Sequence, residues 1–341
     1  MSDDGRLVSF LLFAYNHEQF ITEAVRGALA QTYSPLEIII SDDCSTDRTF
    51  KIIQQEVAGY EGPHEIRLNR NARNIGLGAH INLVMEMARG TLLVVAGGDD
   101  VSLHNRVERL YSAYHTPGGK VMSVFSNAVV IDEFGNREYL FVKTLDAKHL
   151  SLEWMAKHMT GVLGCAHACD RRVFDLFGPI DEEIVNEDVV IPFRSALLGS
   201  VEFINEPLVL YRCHRNNLHY KDPGEVQGPD EVYALLQKSA DSKIAIFRNR
   251  LRDLSSAREL YPDRQNELSK LQKITRRMLR EMKDEKSLLL SRSSFIKRAS
   301  IIARAALQGT PPKRIIRWIV TFFFPRLYLN YQRRLRARAQ A

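Results

Sequence analysis

Apolar residues in the first hundred positions fall in short continuous runs, each closed by a polar turn. Leu7 to Ala14, LVSFLLFA, reads as a strand covered on both faces, with Tyr15-Asn16-His17 as its exit loop. Ile21, Val25, Ala28 and Leu29 share one face of a helix predicted over about Glu18 to Ala30 and stopped by Ser34-Pro35. Leu36 to Ser41 is a second strand ending in SDDCSTD, where Ser45 is the expected N-cap of a helix through Phe50, Ile53 and Val57. A third strand near Glu65 to Leu68 precedes the polar loop NRNARNIGLGAHIN and a helix through Leu83, Met87 and Ala88. Leu92 to Ala96 is then a buried central strand that stops at Gly97-Gly98 and opens on Asp99-Asp100. Three strand-helix units in succession predict a parallel, doubly wound sheet with its polar turns along one edge.

After Asp100 the pattern changes. A helix over Leu103 to Tyr114 and a strand over Val121 to Ile131 lead to Phe134-Gly135-Asn136, a hairpin signal, so the second half of the sheet is expected to be mixed. Ser151 caps a short helix ending near His158, Gly161 to Ala168 is small and tightly packed, and Asn186-Glu187-Asp188 opens an amphipathic helix. Val201 to Arg212 predicts two short strands around Pro207. Residues 220–230, with two prolines and two glycines, read as a linker between a domain of residues 1–219 and a helical region of residues 231–341. In that region Leu236, Ala240, Ile244, Phe247, Leu251 and Leu254, then Leu268, Leu271, Ile274, Met278 and Met282, recur at helical spacing. They suit a helical hairpin packed on the first domain, or a contact between chains of a homo-oligomer. Pro311-Pro312 introduces KRIIRWIVTFFF, apolar at Ile315, Ile319, Phe322 and Phe323 and basic at Arg314 and Arg317.

The 341 residues are 45% hydrophobic and 26% charged, an ordinary globular composition with room for one large α/β domain and an appendage. The net charge of +6 conceals an asymmetry: residues 1–234 hold 21 Lys+Arg against 33 Asp+Glu, and residues 235–341 hold 26 against 8. No acid follows Glu285, while 13 Lys or Arg do. A helix with Trp and Phe on one side and only bases around it suits an anionic membrane surface; docking on the rest of the chain with a solvated basic back suits it equally. Nucleic acid is disfavoured, since Trp318, Tyr328 and Tyr331 lie among arginines without a recognised binding module. No apolar run approaches the roughly 18 residues that cross a bilayer, and MSDDGR does not read as a signal peptide, so a cytoplasmic location peripheral to the membrane is expected. Cys44, Cys165, Cys169 and Cys213 form no CxxC pair and read as thiols in a reducing compartment.

Asp99 and Asp100 fall just past the carboxyl end of a central strand, where open α/β sheets bind their ligands. Adjacent carboxylates there suit a hard divalent cation, Mg²⁺ or Mn²⁺, that holds a diphosphate; a plain turn or helix cap would use the same residues. Tyr15-Asn16, Asp42-Asp43 and Glu187-Asp188 are expected at the same sheet edge.

In these residues the sequence resembles family 2 glycosyltransferases, inverting enzymes that use nucleotide sugars. The matching stretches are SFLLFAYNHEQFITEAVRGALAQTYSPLEIIISDDCSTDRT, NIGLGAHIN, GGDD, NED and LYRCHRNN, together about residues 6 to 218. The resemblance implies a GT-A fold: a Rossmann-like, mixed but mainly parallel sheet flanked by helices, here with a basic helical C-terminal extension. It implies that Asp43 accepts the imide N–H of uracil or thymine, that Phe13, Tyr15 and Asn16 line the nucleotide, and that Asp99 lies near the ribose or the metal. It also implies that Asp100 is the chief metal ligand, aided by Asp99 and His214, and that Asp188 is the general base toward an acceptor hydroxyl. Glu187 and His167 would contact or orient the acceptor, a glycan or a lipid-linked glycan, and Arg212 and Arg215 are candidate diphosphate partners. Two departures stand out. Cys44 occupies a position where the family commonly has glycine, and Gly97 one where many members carry a further Asp. The alternatives are a non-catalytic homologue and a protein that binds membrane or nucleic acid through its basic tail.

Overall fold

Each early apolar run becomes a strand of one nine-stranded sheet. The computed structural model describes residues 6–116, 119–141, 145, 148–215, 217, 229–290 and 294–323, those of 229–235 and 323 without their side chains. β1 (Val8–Ala14), β2 (Leu36–Asp42), β3 (Glu65–Arg70) and β4 (Leu92–Gly97) pair in parallel in the order 3-2-1-4, with α1 (Ile21–Leu29), α2 (Thr49–Val57) and α3 (Leu77–Met87) as crossovers. β1, β2 and most of β4 are buried on both faces, which explains why their sequences are continuously rather than alternately apolar. Phe10 and Leu12 pack toward one side of the sheet and Leu11 and Phe13 toward the other, so each strand feeds two cores.

The mixed half is built from β5 (Val101–Ser102), α4 (Arg106–Tyr114), β6 (Val121–Ile131), β7 (Arg137–Phe141), α5 (Leu152–Lys157), β8 (His167–Asp170), α6 (Arg172–Asp175), α7 (Glu187–Leu198) and β9 (Ser200–Arg212). β8 is antiparallel to both β4 and β6, whereas β9 is parallel to β6, so β9 ends at the same edge as β1, β2 and β4. The expected hairpin is present, with Gly135 at φ 87° and β7 antiparallel to β6. Two expectations need correction. Val201 to Arg212 is not two strands: Pro207 faces Asn127, where β6 shifts register, and that irregularity absorbs the missing N–H within one long strand. β5 and β8 are too short to show a period. Ser45 does not cap α2; the Asp47 carboxylate accepts the Thr49 N–H at 2.9 Å instead.

The helical region comprises α8 (Pro229–Leu260), α9 (Gln265–Leu290), α10 (Phe295–Leu307) and α11 (Pro312–Phe323). Most of the proposed linker, residues 220–228, lies outside the described residues. Ala245, Ile246, Leu254, Leu268 and Leu271 join the apolar cluster that contains Leu11 and Leu93, so α8 and α9 share a core with the sheet. Arg194 of α7 pairs with Asp253 of α8 at 3.0 Å, both side chains fully buried. Trp318 and Phe322 are each 2% exposed against Leu288 and Ile302. Arg314 meets Glu281, and Arg304 pairs with Asp284 at 2.7 Å. Of the two arrangements left open for the KRIIRWIVTFFF helix, docking therefore holds for its Trp318 and Phe322 side. No helix among the described residues is long and apolar enough to cross a membrane.

Candidate active site

The parallel half delivers three loops to one edge, and hydrogen bonds lock them together. The Asn16 N–H donates to Ser45 Oγ at 2.9 Å, and Asn16 Oδ1 accepts the Thr46 N–H at 2.9 Å, which ties the β1 exit to the β2 exit. Asp42, fully buried, accepts the Ser45 N–H at 2.9 Å and lies 3.4 Å from Arg70, so it braces the turn. Between these contacts Cys44 is held at φ 61°, in the left-handed region that glycine occupies most readily. Asp43 reaches the third loop: Oδ1 accepts from Asn71 Nδ2 at 2.7 Å and the Ile75 N–H at 3.0 Å, and Oδ2 accepts the Gly76 N–H at 3.0 Å. Each carboxylate oxygen has two lone pairs, so Oδ2 retains one for an incoming donor. Of the aromatic residues here, Tyr15 is exposed, while the Phe13 ring is buried edge-on against His80 at 5.3 Å; Phe13 therefore offers this edge its backbone.

The second cluster follows β4. Asp100 Oδ1 accepts the Arg212 N–H at 2.9 Å, and the Arg212 guanidinium donates to the Asp99 carbonyl at 3.0 Å and to Glu23 at 2.8 Å. Arg212 is buried beside the Phe20 ring and spent on this clamp, so it does not serve a diphosphate as the sequence suggested. His214 Nε2 lies 3.2 Å from Asp99 Oδ2, with His17 Nε2 3.9 Å away on the other side. Burial works against ionisation of Asp99, but the bond to His214 and the charges of both imidazoles hold its carboxyl below the usual range. Asp100 moves the other way: burial first, then the Asp99 charge, raise its carboxyl well above the usual value. A Cβ at Gly97 would sit 2.7 Å from Asp99 Oδ1 and 3.0 Å from Asp100 Oδ2, so two carboxylate oxygens converge over this glycine.

That convergence, the hard oxygen donors and the mutual repulsion fit a divalent cation. Among the described residues no group of three or more His, Cys, Asp or Glu side chains is arranged to hold one. The protein would thus supply two carboxylates and leave the remaining positions to water and phosphate, as Mg²⁺ sites commonly do.

A third cluster opens α7. The Asp188 carbonyl accepts the Val162 N–H at 3.0 Å. A Cβ at Gly161 would meet that backbone carbonyl at 2.9 Å, so glycine there allows the chain to lie against this turn, and one at Gly164 would meet Glu187 Oε1 at 2.9 Å, which places Gly164 directly against the Glu187 carboxyl. Burial, then the Asp188 charge, push the Glu187 carboxyl up to about 8. Cys165, which follows Gly164, lies close enough to Asp100 to feel its charge; burial first, then that charge, pushes the thiol up. The 164–165 turn therefore lies between the two acidic pairs, against Glu187 on one side and within reach of the Asp100 charge on the other, a link that sequence spacing did not reveal. Asp188 lines a cleft of about 270 Å³ with Asn186, Met159, Ser242 and Lys243.

His167 does not belong to this surface. It is 1% exposed within β8, its Nε2 2.5 Å from Ser123 Oγ, and burial followed by the Arg106 charge pulls it down to about 3. It is a neutral core histidine without access to an acceptor. Arg215 is exposed in the turn after β9. His17, Asn217 and Cys165 are site neighbours that the sequence reading did not single out; Asn217 Nδ2 donates to Asp99 Oδ2 at 3.3 Å. The polar stretches YNH and HRNN carried the only signal for the first two.

Comparisons with known proteins bear on the family and the fold. Residues 9–177 match the family described as Glycosyl transferase family 2. The chain is similar to an uncharacterized glycosyltransferase of Nostoc sp., 28% identical over 220 residues that cover 62% of this chain and 66% of that one. It is similar to the putative glycosyltransferase EpsE of Bacillus subtilis, 33% identical over 40% of this chain and 48% of that one. Glycosyltransferase GlyG of Streptococcus pneumoniae is 26% identical over 71% of this chain and 82% of its own length. The match to the first two thus spans about half to two thirds of their lengths. Among solved structures, S. aureus TarS in complex with UDP-GlcNAc aligns with a TM-score of 0.50 at 14% identity, covering 89% of this chain and 93% of that one. The mannosyltransferase PcManGT from Pyrobaculum calidifontis, in complex with GDP-Man and Mn²⁺, aligns with a TM-score of 0.50 at 17% identity, covering 93% and 87%. At such identities these structures establish the fold alone, a GT-A type sheet.

Proposed function

Since the chain belongs to glycosyl transferase family 2 through residues 9–177, we propose that it moves a sugar from a nucleoside-diphosphate sugar to a hydroxyl of a glycan or lipid-linked acceptor, with inversion. The observation that carries this reading is a pair of acidic clusters on either side of the Gly164-Cys165 turn: Asp99 and Asp100, whose oxygens converge over Gly97 and suit a cation that holds a diphosphate, and Asp188, open to a cleft and able to take a proton. Asp43 Oδ2 retains a lone pair for the imide N–H of uracil or thymine, whereas cytosine presents an acceptor there; this favours UDP or dTDP. Tyr15 is the exposed ring beside that position. Asp99 and Asp100 would hold Mg²⁺ or Mn²⁺, which when bound supplies charge stabilisation to the departing diphosphate. The chain's own contribution is to hold these carboxylates in register through Arg212 and His214.

Asp188, at the start of α7 and open to a cleft, acts as general base on the acceptor hydroxyl as it attacks the anomeric carbon from the face opposite the diphosphate. Glu187, neutral over most of the physiological range, leaves Asp188 the charged member of the pair. The proton passes from the hydroxyl to the Asp188 carboxylate, the new glycosidic bond forms, and the electron pair of the sugar-phosphate bond leaves with the diphosphate.

The protein works at the cytoplasmic face of a membrane. What supports this is α10, whose exposed side carries Phe295, Ile296 and Leu307 at 71%, 81% and 90% exposure, in a region without acids after Glu285. The decisive experiment is Asp188→Asn, with transfer from UDP- and dTDP-sugars measured beside calorimetric nucleotide binding in Mn²⁺. Transfer should fall by about three orders of magnitude or more while nucleotide affinity stays within about twofold, because the base acts only in the chemical step. Loss of both together would remove Asp188 from the mechanism.

A further inference from the structure

The cleft beside Asp188 does not end there. Lys243 and Met159 line it and also line a second hollow of about 170 Å³ on its far side. The hollow is walled by Lys157, Lys243, Arg314 and Arg317 over an apolar floor that includes Phe247, Met282 and Trp318. Together the two spaces reach the size of ordinary small-molecule sites, about 300–1,000 Å³. We infer that this groove is the acceptor site and that its basic end takes a phosphate group carried by the acceptor, holding the acceptor hydroxyl at Asp188. The inference rests on the glycosyl-transfer reading and names the acceptor's chemical class.

The charges favour an anion here. Among the described residues Lys243 and Arg317 have no ion pair, although both border the hollow. Lys157 is shared with Glu153 at 2.8 Å, and Arg314 with Glu281. Glu285, the acid on this wall, accepts from Trp318 Nε1 at 3.4 Å. Burial, then the neighbouring charges of Arg317 and Arg277, pull the Arg314 guanidinium below its ordinary value, so like charges crowd this wall and an anion would relieve them. The donor diphosphate belongs at Asp99 and Asp100, a separate cluster that repels free phosphate unless a cation is present.

Arginine and lysine hold phosphate through charge-assisted hydrogen bonds. The apolar floor suits the face of a sugar ring or the first carbons of a polyol or lipid. The groove is open along α8, so a polymeric or lipid-linked acceptor could thread past Asp188 without being enclosed.

The test uses the full chain, calorimetry, and inorganic pyrophosphate in EDTA, so that the carboxylate pair cannot take part. Saturable binding with Kd below about 1 mM is expected, weakened about tenfold or more in Lys243→Gln/Arg317→Gln. No saturable binding in that range, or equal binding by the variant, would overturn the inference. Phosphatidylglycerol vesicles form a second arm: if they bind through these two residues and pyrophosphate does not compete, the hollow holds a membrane headgroup and the acceptor role fails. A parallel titration with UDP, dTDP and GDP in Mn²⁺ separates the two ideas. Nucleotide binding without pyrophosphate binding sinks the acceptor site alone, and no nucleotide binding sinks glycosyl transfer and the acceptor role with it.

Discussion

Replacing Glu187 by glutamine should make the protein more stable, and increasingly so as pH rises. A carboxyl of ordinary value 4.5 is pushed up to about 8 here, by burial first and then by the Asp188 charge. Between those two values the folded chain keeps a proton that the unfolded chain has released. Stability therefore falls as pH rises through this window, since its slope follows the protons bound by the unfolded state minus those bound by the folded one. A shift of that size corresponds to about 5 kcal/mol at full expression. Glu187 keeps part of its surface in water, so solvent screening reduces the expected effect to about 2 kcal/mol. The amide of the variant stays neutral throughout. The advantage of Glu187→Gln should thus be near zero at pH 5 and grow to about 2 kcal/mol by pH 8.5, read from urea unfolding at several pH values. Taking the difference between variant and parent cancels the titration of His17 and His80, which burial lowers. A difference that is flat with pH, or that shrinks as pH rises, would refute the assignment of Glu187 as the protonated member of the pair.

Cys44→Gly should stabilise the fold by about 0.5–1 kcal/mol, the left-handed strain at φ 61° outweighing the added chain entropy, with thermal unfolding as the readout. Asp253→Ala leaves the Arg194 guanidinium buried and unpaired between α7 and α8; it should cost about 3–5 kcal/mol in denaturant unfolding, and a cost under about 1 kcal/mol would contradict the pairing. Gly97→Ala puts a methyl 2.7 Å from one Asp99 oxygen and 3.0 Å from one Asp100 oxygen. Mn²⁺-dependent nucleotide affinity should fall at least about tenfold with little change in stability, because the collision is with the carboxylates that would hold the cation.

Local pattern carried most of the architecture. Runs such as LVSFLLFA and TLLVVA are legible because a strand buried on both faces needs no partner to declare itself, and the polar turns that follow them are where a parallel sheet must end. The same feature made the site's edge legible, with Asp43, Asp99 and Asp100 placed by strand ends. His167 was misread because its neighbours, Gly164-Cys165-Ala166 and Ala168-Cys169, are small and show no strand period, whereas β8 takes it between β4 and β6 and burial fixes it neutral. Arg212 was misread for a related reason: an arginine beside a polar tail looks solvent-facing until the long strand β9 carries it under the Asp99-Asp100 turn.

What the sequence determined by itself is the set of contacts decided within one element: strand, helix and turn identity, the acidic pair after a central strand, and the basic bias after Glu285. Only the tertiary structure decided which ends converge. The parallel pairing of β9 with β6 brought its end back to the edge where β4 ends, glycine at 161 let the 161–164 segment lie against the Glu187-Asp188 turn, and the α8–α9 hairpin buried Trp318 and Phe322 while leaving the α10 face open. These are contacts between residues far apart in the chain, and periodicity says which face is apolar without saying what covers it.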